Sequence, residues 1–149
     1  MDTVTYPQTA VHDAIEKYCV PVQIDNSTEA AEPVTTRYRH IWTPDLRILE
    51  DDGNELYRWN GYLPPFEFAP KLIAGVAQAR LRLREFDAAI EAYTDVLTRF
   101  PTSFVAPEAQ YFLACSQYRK SHESSDLLRG WHELEKTYPT SVWTVKQNF

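Results

Sequence analysis

The sequence predicts an α/β unit over residues 1–64 joined to an all-α unit of four helices over residues 65–149, and three observations predict it. The apolar period changes from alternating to helical at Pro65. Asp52-Gly53 lies between two strand-length runs, and that dipeptide favours a tight antiparallel turn because it tolerates positive φ. The tetrapeptide Phe100-Pro101-Thr102-Ser103 recurs as Tyr138-Pro139-Thr140-Ser141; at that offset Tyr93 falls on Trp131, Val96 on Leu134, Ala89 on Leu127 and Ala77 on Cys115. Matches spread over that length mark a tandem helical hairpin. Repeat units bury their apolar faces on one another instead of around a cleft, so this half points to an interaction scaffold and away from a catalyst.

Each element follows from its local pattern. Over Pro7 to Tyr18, Val11, Ala14, Ile15 and Tyr18 carry helical spacing, with Thr9 as the expected N-cap. Val20-Pro21-Val22-Gln23-Ile24-Asp25 alternates over a strand's length before the polar Asn26-Ser27-Thr28-Glu29, which reads as a strand followed by a loop. Pro33 to His40 makes about two helical turns, stopped by Pro44, because a residue preceding proline is pushed to extended backbone. Asp45 to Glu50 and Glu55 to Asn60 form the two arms of a β-hairpin. Four helices follow at about Pro65 to Leu83, Asp87 to Arg99, Pro107 to Lys120 and Ser124 to Thr137.

Composition narrows the function classes. A length of 149 residues with 44% hydrophobic and 13% aromatic content is ample for a core. The net charge of −6 gives no long-range attraction for phosphate backbones or anionic lipid, so nucleic acid is not an expected partner. No apolar run approaches the roughly 20 residues of a spanning helix, and the first 20 residues carry no export signal. Cys19 and Cys115 stand far apart with no framework around them, which suits a reducing, cytoplasmic compartment.

Catalytic and cofactor motifs are sparse. The four glycines do not cluster into a phosphate loop. His122-Glu123-Ser124-Ser125-Asp126 lies between helices without a second histidine, and reads as a solvated loop with Asp126 helping to cap a helix. His12, His40 and His132 have no local triad pattern. No metal, cofactor, acid, base or nucleophile is assigned.

Two resemblances add to these readings. Phe86-Asp87-Ala88-Ala89-Ile90, Tyr93 and Pro101 resemble the second helix of a tetratricopeptide repeat. Tyr111, Cys115, Tyr118, Leu127, Trp131, Leu134 and Pro139 hold the corresponding places in a degenerate second copy, while Arg80 departs from the motif's aromatic. In the first half, Val20 to Asp25, Arg37-Tyr38, Ile41-Trp42-Thr43-Pro44-Asp45-Leu46, Asp52-Gly53 and Gly61-Tyr62-Leu63-Pro64-Pro65-Phe66 resemble, in that order, the later part of a thioredoxin-like domain. The whole chain resembles bacterial thioredoxin-family proteins with appended tetratricopeptide-like helices. This resemblance implies an incomplete thioredoxin-like sheet unit followed by a four-helix repeat unit, with a cis peptide between Thr43 and Pro44.

The family's Cys-x-x-Cys segment would precede the region matched by residues 1–7, so the nucleophilic pair and one sheet strand are missing from this sequence. The unpaired edges that result are expected to close on each other, to be covered by a second copy in a homodimer, or to reflect a longer natural protein. The expectation is a non-catalytic protein-interaction module; the alternative is the C-terminal portion of a thiol-disulfide oxidoreductase. The candidate peptide-binding residues are Trp42, Thr43, Pro44 and Tyr62. In the tetratricopeptide register Lys71, Gln78, Arg82, Phe112, Arg119 and Lys120 would face the hollow of the helical hairpins. The expected partner is a protein or an extended peptide.

Overall fold

The computed structural model describes Met1 and residues 3–147. In chain order its elements are α1 (Thr9–Tyr18), a 3-10 turn (Glu29–Ala31), α2 (Glu32–Arg37), β1 (Asp45–Leu49), β2 (Glu55–Asn60), α3 (Pro65–Arg82), α4 (Phe86–Arg99), α5 (Ala106–Ser121), α6 (Ser124–Thr137) and α7 (Val142–Lys146). The architecture is a two-stranded antiparallel sheet with mostly helical surroundings.

The helices form a row. Consecutive members of α3, α4, α5 and α6 pack on one another, α1 lies against α3, and α7 closes against α5 and α6. Small residues set the spacing where helices cross. A Cβ at Gly130 of α6 would lie 2.4 Å from the Ala114 Cβ of α5, so this crossing needs a glycine. Ala92 stands one repeat earlier at the equivalent position of α4 and is likewise buried. The core, with Phe68, Ile73, Tyr93, Val96 and Val105 fully enclosed, continues into Val11 and Ala14 of α1, so it runs across the change of period at residue 65.

The repeated tetrapeptide folds twice into the same turn. Phe100 has φ −134° and ψ 50°, and Tyr138 has φ −129° and ψ 55°. Phe100 N–H donates to the Val96 carbonyl at 2.8 Å, and Tyr138 N–H to the Leu134 carbonyl at 2.8 Å. The serine that ends each turn accepts from a backbone N–H two residues on, Val105 at 3.3 Å and Trp143 at 3.2 Å. One local code thus launches both α5 and α7.

The hairpin pairs Asp45 with Asn60, Leu46 with Trp59, Arg47 with Arg58 and Ile48 with Tyr57, with a register shift before Leu49. Gly53 takes φ +83° at the turn, as the Asp52-Gly53 pattern predicts. Gly75 of α3 lets the sheet sit close: a Cβ there would come within 2.7 Å of the Tyr57 ring and 3.0 Å of Ile48. Leu46, Ile48, Tyr57 and Trp59 therefore share the face turned to α3, while Asp45 and Arg47 share the other.

Three expectations are corrected. Residues 20–25 form no strand, and Val20 is 90% and Val22 80% exposed. Alternation describes what a strand would bury, but a lone extended run has no neighbour to complete its ladder. The residue before α1 is Gln8, not Thr9, and its side chain makes no cap bond. Asp126 does not cap α6; it accepts from Arg129 at 2.7 Å, and Glu123 occupies the cap position.

Candidate functional site

The loop leading into β1 is exposed yet held at several points. Ile41 is 71% and Trp42 68% exposed, with Thr43 and Tyr62 exposed beside them in sequence and across the hairpin. Asn26 Nδ2 donates to Thr43 Oγ1 at 2.8 Å, and His40 Nε2 stands 3.2 Å from the same hydroxyl. On the other side Asn60 Nδ2 donates to the Trp42 carbonyl at 3.4 Å and Gly61 N–H to the Pro44 carbonyl at 2.9 Å. The Thr43–Pro44 peptide is cis. These bonds hold a large aromatic ring and an isoleucine in water, where burial would otherwise stabilise each by about 1.5–3 kcal/mol.

The Gly61–Pro44 bond also fixes the phase of the ladder. In an antiparallel pair, alternate residues turn both backbone groups towards the partner. Pro44, Leu46 and Ile48 face β2, so the N–H and C=O groups of Asp45 and Arg47 point to the open edge. Among the described residues, β1 pairs with nothing but β2. Beside this edge, Arg47 donates to Asp45 Oδ2 at 2.6 Å and to Glu55, and its guanidinium lies 5.2 Å from the centre of the Tyr38 ring. Asp45 Oδ1 is buried with no hydrogen-bond partner.

The six residues expected on the helical hollow separate. Lys71 is half-buried, donates to Tyr57 Oη at 2.7 Å and lies over the Phe104 ring, so the sheet already occupies its part of α3. Gln78 is half-buried and Arg82 exposed, further along the same helix. Phe112 is half-buried, stacks on Tyr93 with ring centroids 6.3 Å apart and meets Tyr111 and Trp143, so it belongs to an aromatic cluster. Arg119 lies over the Phe86 ring at 5.6 Å, and Lys120 pairs with Asp87, which brings both to the start of α4. Asn26 and His40 carried no signal in the sequence, because distant loops bring them to Thr43.

The two thiols are half-buried and unbonded. Burial pushes Cys115 up to about 11. Burial also raises Cys19, against the opposing pull of Arg80. Neither environment favours a thiolate nucleophile. Among the described residues no group of three metal-ligating side chains assembles, and no helix is long and apolar enough to cross a membrane.

No family model matches the sequence, and no curated protein resembles it closely enough to count as a relative.

Proposed function

We propose that this chain is a non-catalytic protein-interaction module of thioredoxin-like and tetratricopeptide-like type, which takes an extended peptide along β1 beside Trp42, Thr43, Pro44 and Tyr62. The observation that carries this reading is the conjunction of an open strand edge with braced, exposed Ile41 and Trp42 at its entrance. A peptide strand added to such an edge gains backbone hydrogen bonds there and apolar contact at the loop. Arg119, Lys120 and Arg82 at the far end of the helices form a second, flatter contact surface. The alternative, a portion of a thiol-disulfide oxidoreductase, draws no support from the two thiols, whose burial opposes ionisation.

The test is titration of the isotopically labelled chain with short peptides alternating valine and glutamine. Amide shifts are expected over residues 41–49 and at Tyr62, and Trp42→Ala should weaken binding about tenfold, equivalent to about 1.4 kcal/mol. Shifts confined to α4–α6, or no binding by any peptide, would overturn the assignment.

A further inference from the structure

We propose that the open edge of β1 is filled by residues 20–25 of a second copy of this chain, running parallel to β1, in a reciprocal exchange that makes a homodimer. The inference rests on the reading of this edge as a site for an extended strand, and it names the strand.

Residues 20–25 have the pattern of a strand and none of its bonds. Val20, Val22 and Ile24 alternate with Pro21, Gln23 and Asp25, and all six are exposed. Among the described residues, no backbone group of residues 20–24 is hydrogen-bonded. The β1 edge offers the complement, namely the two N–H and two C=O groups of Asp45 and Arg47.

Parallel alignment with Val22 beside Leu46 and Ile24 beside Ile48 uses all four. Each parallel bridge joins one residue to the two neighbours of its opposite. Val22 N–H then reaches the Asp45 carbonyl and Arg47 N–H the Val22 carbonyl. Ile24 N–H reaches the Arg47 carbonyl, and Asp45 N–H the Val20 carbonyl. Pro21, which has no N–H, faces away from β1, where proline is tolerated. Val22 and Ile24 extend the apolar face of Leu46 and Ile48, Gln23 lies beside Arg47, and Asp25 is diagonal to that guanidinium. The antiparallel alignment that keeps the same faces turns Pro21, Gln23 and Asp25 to the bonding side. With Gln23 beside Arg47 it sets Pro21, which has no N–H, opposite Leu49 and places Asp25 against Asp45 on the same face. The chemistry favours the parallel strand.

The same chain cannot supply it. Asn26 is bonded to Thr43, so the end of its own segment lies at the start of β1. The parallel register carries Asn26 alongside Glu50, seven residues on from Thr43 and about 23 Å away at strand rise. A second copy meets no such restraint, and a two-fold arrangement fills both edges at once.

Sedimentation over a wide concentration series tests the exchange. The expected result is a species of twice 17.3 kDa. Val22→Pro and Ile24→Pro each delete a donor and should weaken association roughly tenfold or more, with two bonds lost per dimer. Gln23→Pro deletes an outward N–H and should leave it within about twofold. Hydrogen exchange should show protection of the Asp45 and Arg47 amides that grows with concentration. A chain that stays monomeric, a dimer without that protection, open-ended oligomers, or equal damage from Gln23→Pro and Val22→Pro would each overturn the proposal. A synthetic peptide carrying residues 20–25, titrated onto the Val22→Pro variant, separates the two readings. If the chain never dimerises but the peptide still protects the Asp45 amide, the second copy is wrong and the strand site stands. If neither occurs, both fall.

Discussion

Along the helical row the large side chains turn inward: Phe68, Ile73, Tyr93, Val96, Val105 and Leu134 are enclosed. Across residues 20–64 only Ala31 is buried, while Val20, Val22, Ile24, Ile41, Trp42, Leu49 and Tyr62 face water. The first region is held by polar stitches as well as by the apolar face its hairpin turns to α3. Arg37 donates to the carbonyls of Asp52 and Gly53, Tyr38 Oη donates to the Gly53 carbonyl at 2.8 Å, and Arg47 spans Asp45 and Glu55. A hydrogen bond contributes about 1 kcal/mol net, whereas a fully buried aliphatic side chain contributes about 1.5–3 kcal/mol. The helical row therefore encloses its large apolar side chains, and the region of residues 20–64 leaves most of its own exposed.

The largest effect that would sharpen this contrast comes from the row. Leu134→Ala should cost about 2–5 kcal/mol in urea unfolding, while Ile41→Ala should stay within about 0.5 kcal/mol. Equal costs would mean that the loop is packed after all. Next, Arg47→Met leaves the Asp45 carboxylate beside Glu55 without its cation, and should destabilise the hairpin by up to about 3 kcal/mol. Amide exchange should accelerate over residues 45–60 and stay slow in α4 and α5; uniform acceleration would show that the two regions open together.

The smallest effect is in pH. Cys115 has its thiol raised from 9.0 to about 11, so the unfolded chain ionises first as pH rises. Its contribution to stability is complete below about pH 9 and is lost between about 9 and 11. Wild type should lose more stability than Cys115→Ala between pH 8.5 and 10.5, by on the order of 1 kcal/mol or less. Parallel curves for the two proteins would show that this thiol is not desolvated.

The helices, the hairpin and the tandem turn were legible because each is written in nearest-neighbour terms: a period, a dipeptide, a tetrapeptide. Residues 20–25 misled because their alternation says which face a strand would bury and not whether a partner is present. Register along α5 gives the direction of the Phe112 ring and not that Tyr93, Tyr111 and Trp143 lie against it. The helix position of Lys71 likewise does not encode that Gly75 admits the sheet onto that side. The contact of Asn26 and His40 with Thr43 joins loops whose approach no local pattern encodes.

The twin turns at Phe100 and Tyr138 make the helical row extensible. Because Ser141 hands the chain on in the geometry Ser103 uses, a copy of residues 104–141 spliced after Ser141 would meet a junction it already fits. Splicing further copies would lengthen the row by whole helical hairpins, with the β-hairpin left untouched.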